Sequence, residues 1–321
     1  MGMFASRRVI VILVALVTIL AGCGLRSASG AVLEAKPGTI KHYDSLEGVK
    51  MTVAAKDFTE QLILGNMVSI ILNAAGADVT NMTNTPGSFG VRQALLSGDA
   101  NIVPEYTGTG WINYLGNEEP VKGEEAQWRA VNEADQANGL TWLPPAPLNN
   151  TYAFAIRESE AERLGVTKLS DLKNLDKADL TFCVESEFAN RNDGFVPMLH
   201  AYGLHKKDLG GVTTLDTGVI YTATADGDCN FGEVFTTDGR IPALRLRVLE
   251  DDMQFFPLYN LTEVIDTDLL VAHPELADIF AQLNPLLTNE TMMMLNAKVD
   301  NDGDDPAIVA RDWLIDQGLL S

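Results

Sequence analysis

The sequence is poor in the residues from which catalytic centres and metal sites are usually built. Its 321 residues include only three cysteines and four histidines. The histidines are scattered, and the sequence contains no HExxH helix, Cys/His cluster, GxSxG elbow or P-loop. These absences argue against a zinc site, a serine hydrolase and a nucleotide hydrolase. We therefore predict no catalytic residue, no metal and no cofactor, and we expect the protein not to be an enzyme.

Positive charge is also scarce. The chain has 23 lysines and arginines against 44 aspartates and glutamates, which gives a formal net charge of -21. A nucleic-acid partner needs a basic stripe on the protein, and tight adsorption to an anionic membrane needs a basic face. The acidic balance therefore disfavours both partners and fits a solvated, secreted surface.

The N-terminal residues have the order of a secretory signal. Arg7 and Arg8 precede an apolar run over residues 9–20, which is too short to span a membrane. Small residues then lead directly into Cys23, an arrangement that resembles a bacterial lipobox. We predict that residues 1–22 are a signal peptide and that Cys23 is lipidated. The lipid would anchor an exported protein to the outer face of the bacterial cell membrane. The alternative is a plain signal peptide followed by an incidental cysteine.

The two remaining cysteines, Cys183 and Cys229, both lie in predicted strands of the same half of the chain. Export permits disulfide formation. A bridge requires the two Cα atoms to lie within about 7 Å of each other, a separation that a sequence does not show. A disulfide and a pair of buried free thiols therefore both remain open.

After a flexible tether over residues 23–47, short strands and helices alternate, which is typical of a parallel α/β sheet. The first unit has a strand over residues 49–55, a short loop and an apolar helix that stops at Gly76. Asp57 and Glu60 have capping-box spacing at the start of that helix.

Two extended, proline-containing stretches interrupt this alternation, at residues 144–147 and 253–260. The first predicts a domain boundary near residue 149. A chain that leaves one α/β half and returns to it through two extended crossings is typical of a hinged binding protein, whose two lobes close on a ligand. We therefore predict an α/β fold with two lobes.

The stretch from Pro104 to Trp111 follows a short apolar strand and contains Tyr106 and Thr109 together with two glycines. In α/β sheets, ligands bind beside the loops that follow the carboxyl ends of strands. The glycines permit a close approach of the backbone to a neighbour. This stretch therefore predicts one wall of a ligand site.

Four aromatic residues occupy comparable positions, where a strand begins or ends or where the chain crosses between halves: Tyr106, Tyr152, Phe235 and Tyr259. Aromatic faces around a cleft suit a quaternary ammonium ion, which carries positive charge but donates no N–H hydrogen bond. Lys56, Thr109 and Arg191 are suited to hold a carboxylate at the other end of such a ligand.

With these residues the sequence resembles the substrate-binding lipoproteins of ABC importers for glycine betaine, choline, carnitine and related compatible solutes. The matching segments follow in order and cover nearly all of the chain after residue 48: KDFTEQ (56–61), PEYTGT (104–109), NNTY (149–152), NRNDG (190–194), FTTDGRI (235–241), FFPLYN (255–260) and LNAKV (295–299). Together they are specific for that family.

The resemblance implies a two-lobed fold of the periplasmic-binding-protein type (type II), with a two-stranded hinge. Residues 48–149 and 257–321 would form one lobe, and residues 150–256 the other. The family's aromatic box falls on Tyr106, Tyr152, Phe235 and Tyr259, and its carboxylate contacts fall on Lys56, Thr109 and Arg191. The implied partners are a quaternary-ammonium ligand and a membrane permease driven by a separate ATPase.

Two positions depart from some family members. Phe235 stands where a tyrosine is often found, so the ring face is kept and only a hydroxyl is lost. Asn150 stands where an aspartate can occur, and we count it among the ligand-binding residues. Because a carboxylate near the cation is missing, we expect weaker binding of choline-like ligands, which have no anion of their own.

Three other functions remain in competition. The first is a receptor for another small polar solute, such as an amino-acid derivative. The second is a secreted lipoprotein enzyme, which the lack of a nucleophile–base pair or metal cluster disfavours. The third is an adhesive or scaffold protein without a small ligand.

Overall fold

A computed structural model describes residues 31–321, so the predicted signal peptide and Cys23 lie outside the described residues. Within this range the strands are β1 Lys50–Lys56, β2 Asp78–Thr85, β3 Ile102–Tyr106, β4 Leu140–Trp142, β5 Tyr152–Arg157, β6 Thr181–Val184, β7 Gly211–Thr214, β8 Phe231–Phe235, β9 Leu246–Val248 and β10 Leu261–Asp266.

The α-helices of the same range are α1 Thr59–Ala74, α2 Gly87–Ser97, α3 Glu124–Asp135, α4 Glu158–Leu164, α5 Phe195–Ala201, α6 Thr217–Asp226, α7 Arg240–Ala243, α8 Thr267–Ala272, α9 Glu275–Leu283, α10 Asn289–Asp300 and α11 Pro306–Asp316. A short π-helical turn, Thr109–Tyr114, follows β3. No helix in residues 31–321 is both long enough and apolar enough to cross a membrane.

The strands form two five-stranded sheets with the orders β2-β1-β3-β10-β4 and β7-β6-β8-β5-β9. β1 runs parallel to β2 and β3, and β6 runs parallel to β7 and β8. β10 and β5, however, run antiparallel to their neighbours, so the prediction of purely parallel sheets is wrong for these two strands. Each is entered from an extended crossing instead of a helical crossover, which lets the chain run in the opposite direction.

The segment before β1 is only partly the tether that the sequence predicts. Lys36 and Ser321 exchange backbone hydrogen bonds of 2.8 Å, and the Ile40 amide donates to the Leu319 carbonyl at 3.1 Å. The side chains of Ile40 and Leu46 are completely buried. The prediction of a flexible tether is therefore wrong for residues 36–47, because apolar side chains there join the core beside the C-terminus.

Helix α1 is buried on nearly all sides because it packs against the first sheet as well as α10 and α11. It ends before Gly76, whose φ of +118° favours glycine. The predicted capping box is wrong. The N-cap residue is Phe58, without a side-chain cap, and Asp57 accepts a hydrogen bond from the Gly87 amide at 3.2 Å. The Glu60 carboxylate is turned into the interior instead.

In the second sheet, Cys183 on β6 and Cys229 just before β8 form a disulfide. Their Cα atoms are 5.9 Å apart, within the range that a bridge requires. Both side chains are buried beside α6. Of the two states that the sequence leaves open, the structure therefore has the disulfide.

A buried glutamate on β10 makes the free energy of unfolding of the protein depend on pH. Glu263 is 1% exposed, and the Asn284 amide donates to its carboxylate at 2.8 Å. Burial raises the pKa of Glu263 from 4.5 to about 7. Between these two values the unfolded chain has lost a proton that the folded chain keeps, so stability falls as the pH rises through this window.

We therefore expect Glu263→Gln, which removes this titration, to gain stability relative to the wild type as the pH rises. The gain should reach about 3 kcal/mol between about pH 4.5 and pH 7, and level off above. Urea unfolding at several pH values measures it, with the exposed Glu118→Gln as the control. A difference between Glu263→Gln and wild type that does not vary with pH would rule out this origin.

Candidate functional site

A cleft of about 800 Å³ lies between the two sheets. Its walls are formed where β1, β3, β6 and β8 end and where the two extended crossings pass. This is the edge of an open α/β sheet at which ligands bind. Seven of the eight ligand residues predicted from the sequence line it: Lys56, Tyr106, Thr109, Asn150, Tyr152, Phe235 and Tyr259.

Arg191 is the exception, because it does not line the cleft. It is 5% exposed, and its guanidinium donates to Asp193 at 2.6 and 2.8 Å and to Glu187 at 3.0 Å. The same group lies 5.4 Å from the centre of the Tyr152 ring. Two acids of its own loop thus hold the guanidinium, and the contact of Arg191 with a ligand carboxylate stays a prediction.

The predicted aromatic residues come together as a continuous set of rings. The Tyr152 ring centre lies 5.3 Å from that of Phe235 and 5.3 Å from that of Tyr259, the latter edge-on at 89°. Phe58 joins them, 5.0 Å from Phe235 and 6.5 Å from Tyr106. We call these five rings the aromatic cage.

Sequence reasoning missed Phe58 as a cage residue, although its position two residues after the end of β1 marks the same sheet edge as Tyr106.

Hydrogen bonds hold two tyrosines of the cage in place. The Tyr106 hydroxyl donates to Glu60 at 2.7 Å, and the Tyr259 hydroxyl donates to Asp193 at 2.6 Å. Burial raises the pKa of both tyrosines well above its ordinary value, so each remains a neutral phenol. Each ring is therefore fixed by its hydroxyl and offers its face or edge to the cleft.

Gly108 allows close packing against a ring of the cage, not against a ligand. A Cβ on Gly108 would lie 2.7 Å from the Leu258 carbonyl and 2.8 Å from the Tyr259 ring. A side chain there would push Tyr259 away from β3. The close approach predicted from the glycine pattern therefore exists, and its partner is a wall of the cleft.

Lys56 lies at the end of β1, and its charge is already balanced. Its ammonium donates to the Glu105 carboxylate at 2.6 Å, and both side chains are buried. Glu105 also accepts from the Tyr114 hydroxyl. The ammonium lies 5.0 Å from the Tyr106 ring centre. Lys56 thus offers hydrogen-bond donors at the cleft as one member of a neutral ion pair.

A second cation at the cleft was missed by sequence reasoning. Arg240 donates to Asp238 at 2.9 Å, lies 3.6 Å from Asp300 and stacks over Tyr221 at 4.3 Å. The sequence signal for Arg240 is the DGR run, which begins three residues after the end of β8. Acidic side chains outnumber Lys56 and Arg240 along the cleft wall, since Asp57, Glu185, Glu187 and Asp216 all line it. This balance favours a ligand that carries positive charge.

Asn150 lies on the first extended crossing and is 6% exposed. Its amide nitrogen donates to Glu60 at 2.9 Å, while its carbonyl oxygen has no hydrogen-bond partner within residues 31–321. A buried polar atom without a partner is costly. The Asn150 side chain is thus held beside Glu60 at the cleft wall through its amide nitrogen.

Comparison with known proteins places these features in a family. A family described as the substrate binding domain of ABC-type glycine betaine transport system matches residues 49–316. A glycine-betaine-binding protein of Pseudomonas aeruginosa is 39% identical over 280 residues, which cover 84% of this chain and 88% of the relative. An ergothioneine transport permease/ergothioneine binding protein of Helicobacter pylori is 33% identical over 86% of this chain, but only 49% of the relative is covered.

Solved structures agree on the fold. A crystal structure of a glycine betaine/carnitine/choline ABC transporter matches with a TM-score of 0.69 and 29% identity, over 84% of this chain and 99% of that one. The fold is accordingly the α/β, two-lobed periplasmic-binding-protein type (type II) that the sequence predicts. The chain belongs to the family of substrate-binding domains of ABC-type glycine betaine transport systems.

Proposed function

We propose that this protein captures a quaternary-ammonium compatible solute, such as glycine betaine, choline or carnitine, and delivers it to an ABC permease. The observation that carries the proposal is the aromatic cage, whose five rings all line the cleft between the sheets. A trimethylammonium group has no N–H to donate, so ring faces are the groups that bind it best.

The cage supplies enough free energy for a working receptor. A desolvated cation–π contact is worth up to about 2 kcal/mol. A few such contacts and one charge-assisted hydrogen bond reach about −8 kcal/mol, which corresponds to micromolar binding. We assign the carboxylate contacts to Lys56 and Thr109, both of which line the cleft. Arg191 is the third predicted carboxylate contact, and its guanidinium lies 5.4 Å from the centre of the Tyr152 ring.

We further propose that residues 48–149 with 257–321 form one lobe and that residues 150–256 form the other. The two crossings lie side by side. Asn149 and Asn260 form an antiparallel bridge, and the backbone N–H of Asn150 donates to the backbone carbonyl of Tyr259 at 3.1 Å. Such a pair of strands is a suitable hinge, because closure then requires only a few backbone torsions to change.

The cellular location of the protein is part of the same proposal. Cleavage after residue 22 and lipidation of Cys23 would hold the receptor at the outer face of the cell membrane, close to the permease that it serves. The permease would be driven by a separate ATPase, and the receptor itself would catalyse no reaction.

A second ligand is supported by one relative. The Helicobacter pylori protein named for ergothioneine is 33% identical to this chain. Ergothioneine is a larger, histidine-derived solute that also carries a trimethylammonium group, so this amino-acid derivative is the alternative occupant of the same cage.

Thermal unfolding with each candidate solute distinguishes these ligands. A ligand present at about 100 times its Kd stabilises the folded state by about 2.7 kcal/mol, which raises the melting temperature measurably. We expect that rise with glycine betaine, choline or carnitine. A rise with ergothioneine alone would favour the alternative, and no rise with any of them would contradict the proposed ligand class.

Asn150 permits a test of charge at the cage. Asn150→Asp would place a second carboxylate 2.9 Å from the Glu60 oxygen that now accepts from Asn150. Two such carboxylates share a proton, so the extra negative charge appears only as the pH rises. We expect the preference for choline over glycine betaine to increase between about pH 5.5 and about pH 8.5 in Asn150→Asp.

Calorimetric titration of both ligands at the two pH values measures this preference. The wild type and Asn190→Asp, at an exposed position away from the cleft lining, should show no such increase. A choline preference in Asn150→Asp that does not change with pH would remove Asn150 from the cation site.

A further inference from the structure

Glu60 is a buried carboxylate behind the cage, and the proposed ligand contacts do not use it directly. It is 2% exposed and lies in the first turn of α1. One carboxylate oxygen accepts from the Tyr106 hydroxyl at 2.7 Å and from the Asn150 amide at 2.9 Å. The other accepts from the Thr237 hydroxyl at 2.6 Å and from the Asn296 amide at 3.1 Å. Each oxygen thus has two donors.

These donors come from separate parts of the chain. Tyr106 ends β3 of the first sheet, Asn150 lies on the first crossing, and Asn296 lies on α10. Thr237 follows β8 of the second sheet. The bond from Thr237 to Glu60 therefore joins the two proposed lobes away from the crossings, and the bond from Asn150 joins them at the lobe boundary, whereas the bond from Tyr106 stays within one lobe.

The surrounding contacts show that the two lobes meet closely at this point. The Asn296 amide also donates to the Thr237 carbonyl at 3.0 Å, and the Asn301 amide donates to the Gly239 carbonyl at 3.1 Å. A Cβ on Gly239 would lie 2.5 Å from the Cα atom of Ala297, so no side chain fits between the loop and α10. Thr237 can reach Glu60 only while this loop rests on the helix.

We propose that Glu60 is a positioning residue that latches the two lobes together, with Thr237 as its partner from the second lobe. This inference rests on the proposed function for its effect on ligand binding. A buried carboxylate needs its donors, since an unpaired charge in the interior is costly. Separation of the lobes would remove Thr237 from Glu60. The same carboxylate accepts hydrogen bonds from Tyr106 and Asn150, which line the cleft. The positions of these two side chains are therefore linked to the contact between the lobes.

Thr237→Val tests the latch with little change of shape. The variant removes one hydrogen bond to a charged group and leaves the bonds from Tyr106 and Asn150 in place. We expect the affinity for glycine betaine to fall about tenfold, mainly through a faster dissociation rate, because the closed state is weakened. Stopped-flow and calorimetric titrations measure the rate and the affinity.

The second measurement needs no ligand. We expect small-angle scattering of the ligand-free protein to give a larger radius of gyration for Thr237→Val than for the wild type. Thr237→Ser keeps the hydroxyl and should restore the wild-type radius. Thr222→Val, on the exposed face of α6, is the matched control and should also match the wild type.

The two results separate this inference from the proposed function. A wild-type radius of gyration in Thr237→Val would overturn the latch, whatever the ligand measurements give. Failure of the wild type to bind any of glycine betaine, choline and carnitine would remove the proposed ligand class. In that case the scattering comparison would still decide whether Glu60 and Thr237 hold the lobes together.

Discussion

Replacing Tyr152 with leucine is expected to weaken quaternary-ammonium binding about thirtyfold, which is the loss of one desolvated cation–π contact. Tyr152 is the central ring of the cage, with Phe235 and Tyr259 both 5.3 Å away. Leucine preserves much of the apolar volume but removes the π face, so the change isolates the interaction with the cation. Calorimetric titration with glycine betaine measures the loss.

Tyr152→Phe is the matched control, because it keeps the ring and removes only the hydroxyl. We expect its affinity to stay within about threefold of the wild type, since the cation–π contact is retained. The melting temperatures of both variants show whether the fold is intact. Equal affinities of Tyr152→Leu and Tyr152→Phe would mean that the Tyr152 face does not contact the cation.

The second large effect is expected from the disulfide. Its cysteines are 46 positions apart in the sequence, and closing a loop of that length restricts the unfolded chain by about 4 kcal/mol. Cys183→Ala with Cys229→Ala should therefore lower the free energy of unfolding by about 4 kcal/mol. Guanidinium unfolding of the oxidised wild type and the double variant measures the difference.

Wild type that is kept reduced is the control, because it lacks the bridge but retains both side chains. It should lose a similar amount of stability. Neither cysteine lines the cleft, so ligand affinity at low temperature should not change. A double variant within about 1 kcal/mol of the oxidised wild type would show that the bridge contributes little.

The cleft residues were accessible to sequence reasoning to the extent that they mark strand ends. Tyr106 and Phe235 end β3 and β8, and Tyr152 begins β5, which runs antiparallel and therefore starts at the same edge. Phe58 lies two residues beyond β1 and Arg240 five residues beyond β8. Their positions mark the same sheet edge, but the local sequence does not show whether a side chain so far beyond a strand turns toward the cleft or away from it.

Other features depend on contacts that are distant in sequence. Glu60 and Asp57 have capping-box spacing, yet donors as far away as Asn296 draw the Glu60 carboxylate inward. A tertiary hydrogen-bond network thus overrides the local pattern at Glu60, and the local pattern does not reveal which donors the carboxylate meets. The partners of Arg191 are local by contrast, since Asp193 and Glu187 lie only two and four positions away.

The same limit explains the mixed sheets. Alternating strands and helices predict parallel pairing, but the direction of β5 and β10 is set by the extended crossings that precede them. The sequence predicts both crossings from their prolines. The sequence does not show that the strand after each crossing runs antiparallel to its neighbours in the sheet.

The central claim is that the cage binds a quaternary ammonium ion, and calorimetric titration of the protein with glycine betaine tests it most directly. We predict a Kd in the micromolar range, about −8 kcal/mol, which is lost on replacing Tyr106 or Tyr259 with alanine. Choline, carnitine and proline betaine should be titrated in parallel. Absence of heat with all four ligands, in a folded wild-type protein, would contradict the account.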